Sequence, residues 1–87
     1  MRDVDQIITA ELSFVPLGSE DYNDDIRKVI DLIKDSEQEY TVGLMSTTIR
    51  GAKNIILDLI RQIFEEMNEH CKFTMILKLS NECGCKK

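Results

Sequence analysis

The sequence predicts an α+β fold: a ferredoxin-like βαββαβ two-layer sandwich, an antiparallel sheet with two helices on one face. Three observations lead there. Stretches that alternate apolar and polar residues, and stretches with apolar residues every three to four positions, succeed one another in the order β-α-β(β)-α-β. The chain has 87 residues. At that length about 64% of the unfolded surface would be buried, enough for one small core and one domain over residues 1–87. Two right-handed crossovers place both helices on the same side, and two helices cannot cover both faces of four strands.

Residues 7–15 open the fold. Ala10, Leu12 and Phe14 fall on one face, Glu11 and Ser13 on the other, as in a strand with one buried face. Pro16 lacks a backbone donor and is expected to end the pairing, with Gly18 opening the turn. An acidic stretch follows. Its charges, Asp24 and Asp25 among them, suit a helix N-terminus, and Ser19, Asp21 and Asn23 are candidate caps. Ile26, Val29, Ile30 and Ile33 then recur at helical spacing, with Arg27, Lys28, Asp31 and Lys34 on the wet side.

Tyr40 to Met45 reads as the next strand, with Tyr40, Val42 and Leu44 on one face. Ser46 to Arg50 also has high β-propensity. The region is therefore one long strand or a hairpin bent near Gly43–Ser46, and Gly51 breaks the pattern. Met45, Thr47 and Ile49 form the more core-like row. The second helix is the clearest element. Ile56, Leu59, Ile60, Ile63 and Met67 form its stripe, widened by Ile55 and Phe64, while Asp58, Arg61, Gln62, Glu65 and Glu66 face water. In the last strand Phe73, Met75, Leu77 and Leu79 alternate with Thr74 and Lys78. Residues 81–87 read as a flexible tail. Alternation leaves Glu11, Ser13, Thr74, Ile76 and Lys78 on the open sheet face, a mixed surface suited to a second subunit or a ligand.

Charge narrows the function. Sixteen acidic residues against eleven basic ones give a net charge of −5, opposite to the basic surface that phosphate contacts demand of a nucleic-acid binder. No run of apolar residues is long enough to span a membrane. Met1-Arg2-Asp3-Val4-Asp5 lacks the basic-then-apolar pattern of a signal peptide. Three cysteines, an odd number, do not form a secreted disulfide framework. A cytoplasmic protein is expected.

Three short runs resemble one known family. Ala10 to Gly18 is similar to the first strand and Pro-Gly corner of the YkoF-like thiamine-binding proteins. Leu44 to Gly51 resembles their third-strand motif, a hydroxyl-rich stretch ending in Arg-Gly before the second helix. The final strand with Ser80 and Cys83-Gly84 resembles the family's end. The likeness spans residues 8–84. It implies a ferredoxin-like domain that binds thiamine or its hydroxymethylpyrimidine moiety without transforming it, in thiamine salvage or transport. It carries Ser13 onto the strand-one serine, and Ser46, Thr47, Thr48 and Arg50 onto the hydroxyl-rich motif. The best-known members hold two such domains in tandem. This chain has one, so a homodimer or homotetramer is expected.

Each candidate has an ordinary alternative. Hydroxyls at Ser46, Thr47 and Thr48 both donate and accept, which suits an uncharged aminopyrimidine; threonine is also simply common in strands. Successive strand residues point to opposite faces, so Thr47 does not share a face with Ser46 and Thr48. Arg50 suits a phosphate, although a surface ion pair is the reading we favour. Glu11 suits a thiazolium cation, and equally a solvated or interface carboxylate. Phe14 and Tyr40 suit ring stacking, though aromatics on apolar strand faces are more often core.

A metal module is a distant rival. His70-Cys71 and Cys83-Gly84-Cys85 carry ligand chemistry. The single-glycine spacer is unusual for zinc, and an extended strand would separate the two groups by roughly 35 Å. No metal and no cofactor are expected. The acidic pairs Asp24-Asp25 and Glu65-Glu66 lie beside solvated helix positions, and no nucleophile elbow, phosphate loop or HExxH pattern occurs, so no enzyme is expected. The alternative function is a ferredoxin-like interaction or regulatory module with another small ligand or none.

Overall fold

The computed structural model describes residues 6–18 and 20–82. The candidate cap Ser19, Cys83, Cys85 and most of the expected tail lie outside the described residues. The elements run β1 (Ile7–Leu17), α1 (Tyr22–Asp35), β2 (Glu39–Val42), β3 (Thr47–Ala52), α2 (Lys53–Asn68) and β4 (Lys72–Ser80). The sheet order is β2-β3-β1-β4, and every neighbouring pair is antiparallel. This is the ferredoxin-like α+β topology expected from the alternation patterns.

Side-chain parity places the helices. Ile8, Ala10, Leu12 and Phe14 of β1 are buried with Ile49 of β3, Val29 and Ile33 of α1, and Ile56, Leu59, Ile63 and Met67 of α2. The register aligns Ala10 with Ile49 on one side and Leu79 on the other, so one sheet face is apolar and both helices lie on it. Of the predicted α2 stripe, Ile60 is partly buried, whereas Ile55 and Phe64 are exposed on its flanks.

Local chemistry fixes the helix ends. Asp21 is the N-cap of α1, its carboxylate accepting from the Asp24 N–H at 3.3 Å. One turn on, Lys28 Nζ lies 2.6 Å from Asp24 Oδ2. The hydrogen bond from Lys28 holds the Asp24 carboxyl below its ordinary value. After the C-cap Ser36, Glu37 adopts a left-handed conformation with φ 63°. The N-cap of α2 is Ala52, which offers no side-chain cap; the Lys53 N–H is instead donated to the Gln6 carbonyl at 2.9 Å.

Two expectations are corrected, and one alternative left open by the sequence is decided. β1 continues past Pro16, which is aligned with Phe73 of β4. Beyond Leu12 the strand has a partner on one side only, and a proline is tolerated at such an edge. The central region is a hairpin, not one strand, its turn closed by the Gly43 N–H donating to the Ser46 carbonyl at 2.8 Å. Leu44 and Met45 therefore sit at the turn, exposed, instead of continuing a strand face or a core row. No helix among the described residues is long and apolar enough to cross a membrane.

Candidate functional site

Unequal strand lengths create the site. β3 is aligned with β1 only from Ile7 to Leu12, while β4 is aligned with it as far as Leu17. The second half of β1 therefore has a free side facing the β2–β3 turn. The first turns of α1 roof the gap. The result is a cleft of about 420 Å³ between β1, the hairpin and α1, within the usual range for small-molecule pockets.

Its wall is apolar. Leu12 and Phe14 form the floor, and Ile26, Val29 and Ile30 approach from α1. Polar groups come from Ser13, Ser46, Thr47, Tyr22 and Asn23. None of the described lining residues is charged.

Two serines fasten the hairpin to β1. Ser13 Oγ donates to the Met45 carbonyl at 2.9 Å, and Ser46 Oγ donates to Glu11 Oε2 at 2.9 Å. Glu11 Oε1 lies 3.5 Å from Lys78 Nζ across the β1–β4 pair. Glu11 thus stands behind the rim and touches the cleft only through Ser46. Thr47 differs from both serines. It is only 7% exposed, it lines the cleft, and its hydroxyl has no hydrogen-bond partner among the described residues. A buried hydroxyl without a partner costs about 1–3 kcal/mol. A ligand atom in the cleft would satisfy it.

The sequence candidates divide accordingly. Ser13, Phe14, Ser46 and Thr47 come together at the cleft. Glu11, Thr48 and Arg50 do not line it; they lie on the open sheet face, where Arg50 Nη1 meets Glu39 Oε1 at 3.0 Å. Phe14 is a core ring, its centre 4.8 Å from that of Phe73, and it also lines the cleft. Tyr40 packs against the core and is not in the lining. Sequence reasoning missed Tyr22, a half-exposed aromatic in the lining. Its signal was its place directly after the Asp21 cap, where a first-turn side chain looks across the sheet end.

No metal centre forms among the described residues, which contain no group of three His, Cys, Asp or Glu side chains placed to hold an ion. His70 Nε2 lies 3.3 Å from Glu66 Oε2. Cys71 is half-buried, and burial, with Asp25 beside it, pushes its thiol up from its ordinary value.

The thiamine-binding protein family matches this chain over residues 10–83. No curated protein matches it. Among solved structures, a Thermotoga maritima protein provisionally assigned to thiamine biosynthesis or salvage is similar, at 20% identity and a TM-score of 0.80, covering 93% of this chain and 89% of its own. A Bacillus cereus domain of unknown function, DUF77, has 22% identity and a TM-score of 0.80, covering 97% and 84%. A Streptococcus pneumoniae protein has 17% identity and a TM-score of 0.80, covering 85% and 84%. At these identities the structural likeness concerns the fold.

Proposed function

The chain belongs to the thiamine-binding protein family, and from that premise we propose that it binds the hydroxymethylpyrimidine half of thiamine, free or within thiamine, in the cleft between β1, the hairpin and α1. The observation that carries this reading is the buried Thr47 hydroxyl, without a partner among the described residues, in a cleft whose described lining carries no charge. An aminopyrimidine is flat, neutral and edged with both donors and acceptors. It needs apolar walls and a few hydroxyls, and the cleft offers Thr47 at its floor with Ser13 and Ser46 at its rim. Tyr22 is placed to lie against a ring. The thiazolium of intact thiamine would extend toward the rim, where Glu11 is one hydrogen bond away through Ser46. A phosphate ester has no cation in the described lining to receive it, and Arg50 is engaged by Glu39 on the other face of the sheet.

The protein holds its ligand and does not transform it. Among the described residues the cleft presents no charged acid, base or nucleophile pair, and the family is one of binding proteins. The role fits thiamine salvage or transport in the cytoplasm, without a cofactor.

Thermal unfolding in the presence of hydroxymethylpyrimidine, thiamine and thiamine phosphate tests the reading. A ligand at about 100 times its Kd stabilises the folded state by ~2.7 kcal/mol. The melting temperature should rise with the first two and least with the phosphate. A folded protein whose melting temperature is unmoved by millimolar hydroxymethylpyrimidine and thiamine would sink the proposal and favour an interaction module.

A further inference from the structure

We infer that the strand side of the cleft has a fixed hydrogen-bond polarity, set by Ser13 and by Ser46 through Glu11, and that it selects a pyrimidine carrying an amine over the same ring carrying an oxo group. The inference rests on the proposed binding of the pyrimidine half of thiamine and adds which member of that ligand class the site accepts.

Proton direction decides the polarity. A serine hydroxyl has one proton to donate and lone pairs with which to accept. Ser13 Oγ lies 2.9 Å from the Met45 carbonyl oxygen, and Ser46 Oγ lies 2.9 Å from Glu11 Oε2. A carbonyl and a carboxylate only accept, so both serines have committed their protons away from a ligand. Both line the cleft, and toward it they present lone pairs alone. Turning either proton inward would break one of the two bonds that fasten the hairpin to β1. The Ser46 bond is the harder to break, because hydrogen bonds to an ionised acceptor are roughly twice as strong as neutral ones. Lys78 Nζ stands 3.5 Å from the other oxygen of the same carboxylate.

The remaining polar groups of the described lining are adaptable. Thr47 has no hydrogen-bond partner among the described residues, so its hydroxyl is free to donate or accept. Tyr22 and Asn23 are exposed on the α1 wall and also offer both roles. Discrimination therefore falls on the two serines. An exocyclic amine brings N–H donors to them, and the ring nitrogen beside it accepts from Thr47. In the oxo analogue that edge is inverted. A carbonyl oxygen then faces the serine lone pairs, and the ring nitrogen carries the proton. The two compounds are alike in size, shape and charge, so apolar contacts do not separate them. A site built to hydrogen-bond a group rejects the analogue lacking it far more strongly than an apolar pocket rejects a change of size. The same orientation suits intact thiamine. The ring carbon bearing the thiazolium arm is next to the one bearing the amine, so both leave toward the rim. The ring methyl, directly opposite the arm, then meets the apolar floor of Leu12 and Phe14.

Calorimetric titration of the full chain with hydroxymethylpyrimidine and with its oxo analogue tests the inference. The wild type should bind the oxo compound at least about tenfold more weakly. Glu11→Gln should narrow that gap by about threefold or more, because a glutamine amide can donate to Ser46 and release its proton to the ligand. Lys78→Gln removes the same ion pair but leaves the carboxylate against Ser46, so it should keep the wild-type gap. A wild type that binds both compounds equally, or the oxo compound better, overturns the inference while the binding reading stands. A wild type that binds neither overturns both. A gap unchanged in Glu11→Gln overturns the role given to Glu11.

Discussion

Thr47 is where the fold gives up stability for a site. Its neighbours in the register, Leu12 and Val42, are apolar, and a valine of the same shape would fill its place. We therefore expect Thr47→Val to act in opposite senses on two measurements. Thermal or denaturant unfolding should show unchanged or higher stability, by up to ~1 kcal/mol, because a partnerless buried hydroxyl is removed. Calorimetric titration should show hydroxymethylpyrimidine binding weakened by about tenfold, because the ligand loses a hydrogen-bond partner. If binding survives intact, Thr47 is not a ligand contact. The hydroxyl cluster was legible in the sequence, and so was the fact that Thr47 faces away from Ser46 and Thr48. Which of the two faces formed the cleft was not legible. That depends on how far β3 runs beside β1, which is a property of the pairing and not of either strand's pattern.

At the scale of elements, alternation and helical spacing located both helices and the first and last strands and left the central stretch as one strand or two, because each described element has one face against a common core. The errors fell where one element's end depends on another. Pro16 stays in β1 because the side it would have disrupted has no partner there. Leu44 and Met45 looked like strand residues by composition, yet the Gly43–Ser46 turn, fastened by Ser13 and Glu11 of β1, puts them in solvent. The end of α1 shows a similar tension. Glu37 follows the C-cap with φ 63°, a region that favours glycine. Its side chain is exposed, so little packing compensates the strain. Glu37→Gly should stabilise the fold by about 0.5–1 kcal/mol, measured as a higher denaturant midpoint with an unchanged slope. A lower midpoint would mean that the Glu37 side chain contributes more than its backbone conformation costs.

Across the whole molecule the cleft and the outer edge of β4 occupy opposite sides of the sheet. The cleft involves β1, the β2–β3 hairpin and α1; the far edge is β4, with Leu57 of α2 beside its Leu79. The strand order puts β1 between them, and β1 contributes different residues to each neighbourhood. Its free side from Ser13 onward forms the cleft, while its β4 side is already filled by the strand ladder. Coupling between two sites requires that one ligand change an element the other depends on. Here the only shared element is a strand held by β4 over its length from Thr9 to Leu17, with Ala10 and Leu12 fixed in the core. Ligand binding should therefore be insensitive to changes at the outer edge of β4. Hydroxymethylpyrimidine affinity should agree within roughly twofold between the wild type and Ile76→Lys. A larger change in affinity on substitution of Ile76 would show that the hairpin and β4 respond to each other through β1, and that the strand is a lever between the two sides and not a rigid divide.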